Sequence, residues 1–284
     1  MFYYMTELIC FLVMVYLYYL FFIYDKTTLK IRHNAGFFSC CFVKLYEIID
    51  FYKKNNKLPD EVDSSDLFDM YKYDTKTDIT LDFFEHSNNV TAEFGSRKQK
   101  IINWDEQFYN YKNVDYPAII PFIKKYFTPS KKIKTIRNNL LVKYNIDVDN
   151  CVGLYYRGTD KFNETQLDSF DSYYSKLIEI TNTDNNLKIL VQTDSAPFLD
   201  YINNKNLNNV IVINENSTSY TNSGIHNEKT QYENYTDIQN LFATFLIISK
   251  CKYIICSSGN CSIWMMYYRE NAKNVYQNLN KTWL

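Results

Sequence analysis

Five near-continuous apolar runs dominate the second half of the chain, at 150–157, 187–193, 209–214, 252–257 and 274–278. Runs of this length without polar alternation mark strands covered on both faces. Between them, apolar residues recur at helical spacing over about 170–182, 196–204, 235–250 and 261–270. Strands alternating with helices in this way predict a parallel sheet with helices on both faces, a Rossmann-like domain. The first half is less regular. Residues 26–33 predict a short strand, Asn34-Ala35-Gly36 a turn, and Phe37 to Asn55 a helix that ends before Leu58-Pro59. Residues 60–115 are mixed and polar, with one predicted strand from Ile79 to Phe84. Pro117 to Phe127 reads as a helix, and Thr128-Pro129 as the cap and first turn of another that runs to about Tyr144. The boundary falls near 145–150, giving an N-terminal α/β domain at 26–148 and a nucleotide-binding domain at 149–284.

The chemistry collects where the predicted strands end. In open α/β sheets the carboxyl ends of the strands form the ligand crevice. The first run of the second half passes abruptly into Arg157-Gly158-Thr159-Asp160-Lys161. The planar fork of an arginine suits a diphosphate there, Lys161 adds a second cation, and Gly158 allows close backbone approach. Gln192-Thr193-Asp194-Ser195 ends the next strand, where Thr193 to Ser195 suit a helix cap and Asp194 is a candidate donor-site residue. Ser223-Gly224-Ile225-His226-Asn227 is a polar, glycine-bearing loop. Cys256-Ser257-Ser258-Gly259-Asn260 leads into a helix, so that small hydroxyls, a glycine and free amides meet at a helix start, as in a phosphate cradle. Together these features predict the diphosphate site of a glycosyltransferase. Asp147-Val-Asp149 has the form of a metal-binding Asp-x-Asp, but it precedes a strand rather than following one and reads as loop chemistry.

Composition narrows the picture. With 31 basic and 32 acidic residues in 284, the net charge of −1 gives no basic excess for nucleic acid. The seven cysteines, at 10, 40, 41, 151, 251, 256 and 261, lack the spacings of a disulfide framework and read as buried thiols. The only histidines, His33, His86 and His226, do not combine with them into a zinc pattern. At the other end, Leu8 to Tyr24 is an uncharged run bounded by Glu7 and Asp25-Lys26. It predicts an uncleaved single-pass membrane anchor over residues 1–25. The basic residues that follow it favour a cytosolic body, the reverse of a Golgi-type enzyme, so the side of the membrane stays open. Asn-X-Ser/Thr sequons stand at 89, 163, 216, 234, 260 and 280, and those at 163 and 260 fall inside the candidate site.

The four motifs, in this order, resemble the GT-B fucosyltransferases, above all the α-1,6-fucosyltransferases of N-glycan cores and nodulation factors, with the protein O-fucosyltransferases more distant. The family's strand ending His-x-Arg-Arg-x-Asp-Lys is similar to Tyr155 through Lys161. Its Thr-Asp-Asp is similar to Thr193-Asp194-Ser195, its Ser-Gly-Leu-His-Asn to 223–227, and its late Ser-Ser motif to 257–260. Asn34-Ala35-Gly36 resembles the glycine loop after the family's first strand. The resemblance implies a GT-B-like α/β fold of two Rossmann-like domains with parallel sheets, behind a hydrophobic N-terminal helix. It implies an inverting, metal-independent transfer of fucose from GDP-fucose to a glycan or glycoprotein, with no cofactor beyond the donor.

By position, the resemblance gives Arg157 the β-phosphate. It gives Ser257, Ser258, Gly259, Asn260 and Gly36 the diphosphate neighbourhood, His226 and Asp194 the donor site, and Tyr173 the pocket wall. Asp160 and Lys161 match the family's Asp-Lys pair. Glu164 stands one residue nearer to that pair than the family's candidate base. The chain departs from the pattern at Tyr155 and Thr244, where the family has the histidine and aspartate that read guanine, and at Gly158, where it has a second arginine. Two other readings stay open: the same fold with a different nucleotide sugar, and a membrane-anchored glycan-binding or scaffold protein with a degenerate site.

Overall fold

The computed structural model describes residues 7, 11–16, 27–73, 78–86 and 104–284. Most of the apolar run at 8–24 and the sequon at Asn89 lie outside the described residues. Among those described, no helix is long and apolar enough to cross a membrane.

The second half holds one six-stranded sheet in the order β10-β9-β8-β5-β6-β7. Its strands are β5 (Cys151–Tyr156), β6 (Lys188–Thr193), β7 (Val210–Val212), β8 (Tyr253–Ser257), β9 (Val275–Leu279) and β10 (Thr282–Trp283). All pairings are parallel except β10 with β9. The helices between them are α5 (Phe170–Thr181), α6 (Ala196–Asn203), α7 (Gln231–Ile248) and α8 (Asn260–Arg269). The predicted strands and helices all form, within a few residues at their ends.

The strand order places a switch point at the centre. From β5 the chain winds outward through β6 and β7, then returns to the other side of β5 as β8 and winds outward again. The crevice of such a sheet opens at the carboxyl ends of the two strands flanking that reversal, here β5 and β8. All six residues of β5 are buried, as a central strand requires. Successive side chains point to opposite faces. Val152, Leu154 and Tyr156 pack with Tyr173, Leu177 and Phe198 on one face, while Cys151 and Tyr155 join the core on the other. Gly153 is required by the packing of α7, because a Cβ there would lie 2.7 Å from Ile248.

Among the described residues, the first half has a smaller sheet than a full Rossmann-like domain. Its parallel sheet, among the described residues, is one pair, β1 (Thr28–His33) with β2 (Glu61–Leu67), joined by α1 (Phe37–Asn55). The expected strand at 79–84 is instead a helical turn, α2 (Thr80–Phe83), followed by the two-residue β3 (Phe84–Glu85). The Asp78 carboxylate accepts from the Thr80 amide at 2.8 Å and starts the turn. α3 (Tyr116–Tyr126) follows as expected. Pro129, however, sits in a short strand, β4 (Thr128–Pro129), paired with β3, and Ser130 rather than Thr128 caps α4 (Lys131–Lys143). Asp147 caps a loop turn by accepting from the Asp149 amide.

One aromatic core joins the two halves. Phe37 and Phe38, at the start of α1, pack against Phe242, Phe245 and Trp264 of α7 and α8, with ring centroids 5.3–6.3 Å apart. This fixes the first turn of α1 over the carboxyl end of the large sheet. Among the described residues every cysteine is a free thiol, and all but Cys261 are buried.

The same core contains a charge. Lys44 on α1 is fully buried, and its amine has no hydrogen-bond partner among the described residues. Desolvation pushes its pKa down to about 8, against a smaller opposing pull from Asp78. A base whose folded pKa lies below its unfolded value makes stability rise with pH between the two. Below pH 8 both states carry the proton and the penalty is complete, up to about 3 kcal/mol. Lys44→Met is therefore expected to be more stable than the parent at pH 7, with the gap narrowing between pH 8 and 10. Urea midpoints at the two ends of that range check this, and a gap that does not change with pH refutes it.

Candidate functional site

A cavity of about 540 Å³ opens at the switch point, within the range of small-molecule sites. Its floor is the carboxyl edge of the large sheet, and its opposite wall is the β1–α1 turn with Gly36.

Arg157 follows β5 directly. Its backbone amide donates to Ser257 Oγ at 3.1 Å, which ties the end of β5 to the end of β8. Its guanidinium is gripped by two carboxylates: Nη2 donates to Asp160 Oδ1 at 2.6 Å, and Nε lies 3.2 Å from Asp194 Oδ2. Burial works against its charge, and the surrounding groups, Asp194 first and Asp160 among them, together outweigh that and raise its pKa. Burial likewise raises the Asp160 carboxyl, but the Arg157 charge and hydrogen bond bring it below the usual range. Asp194 also accepts from the Gly158 amide at 2.7 Å and from Thr159 Oγ1 at 2.6 Å. Its principal work is thus to shape the 157–160 loop. Gly158 fits because a Cβ would lie 2.7 Å from Ser195, whose own hydroxyl caps α6.

Lys161 is buried, with its amine 2.5 Å from Glu164 Oε2 and 4.9 Å from the centre of the Phe108 ring. Glu164 stands half exposed at the cavity, its side chain 48% accessible, on the far side of that ion pair. Gly259 adopts φ 146°, and a Cβ there would lie 3.0 Å from Lys161 Cε and Nζ. The turn brings the lysine against the start of α8. That helix has no side-chain cap, so the amides of Asn260, Cys261 and Ser262 open toward Lys161 and the cavity. Arg157, Lys161 and this helix start bring hydrogen-bond donors to one side of the cavity as a candidate anion seat, with each cation held by a carboxylate.

Most predicted site residues line the cavity: Gly36, Tyr155, Arg157, Asp160, Lys161 and Glu164, then Asp194, His226, Ser258, Gly259 and Asn260. Three do not. Tyr173 is buried beneath the opposite face of the sheet, edge-on to Tyr156 at 5.0 Å, because its turn of α5 faces that core. Ser257 lies behind Arg157, and Thr244 is buried within α7. Ser258 reaches the cavity, but its hydroxyl is committed, donating to Asn278 O and accepting from Gln277 Nε2. The serines therefore hold the turn, and the helix amides are what face a ligand. His226 lines the cavity in a short turn. Burial, and then Arg157, lower its pKa, so it is neutral at pH 7. Gly224 is pressed between His226 and Asp160, where a Cβ would meet them at 2.8 and 3.0 Å.

Several supporting residues carried no sequence signal. Tyr111 Oη accepts from the Gly259 amide at 3.0 Å, and the Tyr111 amide donates to Gln277 Oε1 at 2.9 Å, so a segment 148 residues away clamps the turn. His33 and Ser39, in hydrogen-bond contact at 3.0 Å, join the wall on the α1 side. Gln192, Asn216 and Asp237 extend the cavity past Asp194. The Nδ2 atoms of Asn216 and Asn234 are spent on internal hydrogen bonds, which closes those two sequons in the folded chain. Among the described residues no cluster of three or more His, Cys, Asp or Glu is arranged to hold a metal.

No protein-family model and no curated protein sequence matches this chain. Solved structures do. It is similar to the NodZ α-1,6-fucosyltransferase co-crystallised with GDP, with TM-score 0.53 at 10% identity over 89% of this chain and 95% of that one. It is similar to the same enzyme soaked with GDP-fucose, with TM-score 0.54 at 10% identity over 92% and 99%. A third structure, fucosyltransferase NodZ from Bradyrhizobium, gives TM-score 0.57 at 9% identity over 89% and 96%. Over nearly its whole length, the chain has the fold of these structures.

Proposed function

We propose that the chain is a glycosyltransferase that moves fucose from GDP-fucose to a hydroxyl of a glycan or glycoprotein, with inversion and without a metal. The observation that carries the reading is the seat at the switch point, where Arg157, Lys161 and the uncapped start of α8 converge in one cavity. The solved proteins of the same fold were captured with GDP and with GDP-fucose, which favours that nucleotide.

The acceptor oxygen attacks C1 of the sugar from the face opposite the diphosphate. The C1–O bond breaks, the electron pair leaves on the β-phosphate, and the acceptor proton passes to a carboxylate. Charge grows on the departing diphosphate, and fixed cations and amides aimed at it stabilise the transition state. In this reading the proton goes to Glu164, which is half exposed at the cavity and paired with Lys161. Asp160, paired with Arg157, is the less accessible of the two carboxylates, at 29% against 48%. We place the apolar run at 8–24 in a membrane on its composition alone, and flotation of the full chain with liposomes is the check.

The test of the main reading is a thermal-shift panel on the full chain with EDTA present. GDP and GDP-fucose at about a hundred times their dissociation constants should each add roughly 2.7 kcal/mol of stability. A panel in which no nucleoside diphosphate or nucleotide sugar shifts the melt, or in which the shift requires added manganese or magnesium, overturns it.

A further inference from the structure

Five of the six Asn-X-Ser/Thr sequons lie among the described residues, and burial divides them. Asn163 and Asn280 are exposed. The other three are built into the fold. Asn234, on α7, is 4% exposed. Its Nδ2 spends both hydrogens, on Met70 O at 3.2 Å and on His226 O at 2.8 Å, and so ties the first half of the chain to the 223–227 loop. Asn216 Nδ2 likewise spends both, on Gln192 Oε1 at 2.6 Å and on Thr244 Oγ1 at 2.9 Å. Thr244 gives its own proton to Asn240 O at 2.9 Å, so it meets Asn216 only as an acceptor, and the amide cannot be turned over without losing both bonds. Asn260 opens α8 in the wall of the cavity, with its Oδ1 sealed from solvent.

N-glycosylation replaces one Nδ2 hydrogen with a sugar and needs room for a bulky, hydrated chain, which is why accepted sequons stand in surface loops. At Asn216 and Asn234 there is no spare hydrogen. A sugar on either breaks an internal hydrogen bond and leaves its acceptor unpaired inside the protein. A sugar on Asn260 meets either the cavity or the sealed side where Oδ1 lies. Burial gives these asparagines no protection, because the modification is made on the chain as it enters the lumen, before it folds. A chain folded in this way has therefore escaped modification at all three. The basic residues Lys26, Lys30 and Arg32, which follow the apolar run at 8–24, agree, since such residues stay with the cytosol. Resting on the transferase reading above, we propose that the body of this chain folds and works on the cytosolic side, unglycosylated, and that its acceptor is a hydroxyl of a glycan or glycoprotein displayed on that side. Acceptors enclosed in the secretory lumen are out of its reach, and its nucleotide sugar comes straight from the cytosol.

The experiment translates the full chain in the presence of endoplasmic-reticulum microsomes, then adds protease to the intact membranes and, separately, an endoglycosidase. The body should be digested, and its mobility should be the same before and after the endoglycosidase. The exposed Asn163 and Asn280 make the assay sensitive, because in a lumenal body they take glycans with nothing to unfold. Protection of the body, or any shift on deglycosylation, overturns the proposal. A second arm uses Thr218→Val with Thr236→Val, which deletes the sequons at 216 and 234 while keeping both asparagines; both threonines are exposed. Expressed in a eukaryotic cell, this variant should match the parent in mobility, yield and melt. A parent that runs heavier than the variant, or folds in lower yield, overturns the proposal. Neither arm involves the donor. A lumenal body overturns the placement and leaves the fucose-transfer reading standing, whereas a digested, unglycosylated body that binds no GDP overturns that reading, and the acceptor assignment with it, but not the placement.

Discussion

Arg157→Lys is expected to fold and melt close to the parent while its turnover falls roughly a hundredfold, a loss near 3 kcal/mol of transition-state stabilisation. Two facts of the site combine in this expectation. The guanidinium is clasped between Asp160 and Asp194, whose side chains are 29% and 10% accessible. A lysine leaves a cation between them, so the loop keeps its charge balance. An ammonium, however, has no planar fork, and cannot hold two carboxylates while presenting paired donors to a diphosphate. Arg157→Ala must be read differently. It removes the cation from two partly buried carboxylates, so it should lower stability as well as turnover. The pair of variants separates chemistry from scaffolding. The kinetic loss should fall on kcat more than on KM for the donor, because the contact tightens as charge develops. An Arg157→Lys enzyme that transfers sugar at the parent rate would falsify the assignment of this residue.

How much of this was legible in the sequence depends on where each segment lies in the fold. β5 and β8 are buried on both faces, so their sequences are nearly unbroken apolar runs, and the motifs at their ends stand out against them. β2 escaped notice for the opposite reason. Its sequence, Glu61-Val-Asp-Ser-Ser-Asp-Leu67, is that of a strand half open to solvent, and Asp63 and Asp66 face Lys30 and Arg32 across the pair. Its partner is 33 residues away, and local periodicity carries no trace of it. The segment Ile79 to Phe84 reads as a strand by composition, yet the Asp78 side chain starts a helical turn there.

Within the site, position along the chain was legible and direction was not. Asp194 and Ser258 both follow strands that end at the crevice, as expected, but the carboxylate and the hydroxyl turn inward to the loop and to β9. Tyr173 lies on the buried face of α5, and which side of the sheet that face covers is set by tertiary packing. The Tyr111–Gln277 clamp joins residues 166 apart and could not be read from either segment alone.

Gly259→Ala should damage both the fold and the donor seat, and its cause is visible in two independent quantities. The residue sits at φ 146°, ψ 177°, a region open in practice only to glycine. Holding an alanine there costs about 1–3 kcal/mol. The added Cβ would also lie 3.0 Å from Lys161 Cε and Nζ, tighter than ordinary contact. The lysine can yield only by moving from the start of α8, and the turn can yield only by breaking the Tyr111 clamp on the Gly259 amide. Either way the anion seat loses a member. The melting temperature should drop by several degrees, on the scale of about 2–4 °C per kcal/mol for a chain of this size, and GDP affinity should fall with it. Gly36→Ala is the stability control. Gly36 faces the same cavity from the other wall, but at φ −54° and with only Tyr71 Oη near a new Cβ, at 4.0 Å, so its melt should match the parent's. The two variants add the same methyl group to glycines of one cavity. A difference between their melts therefore isolates the backbone strain at 259, and equal melts would show that the turn relaxes without cost.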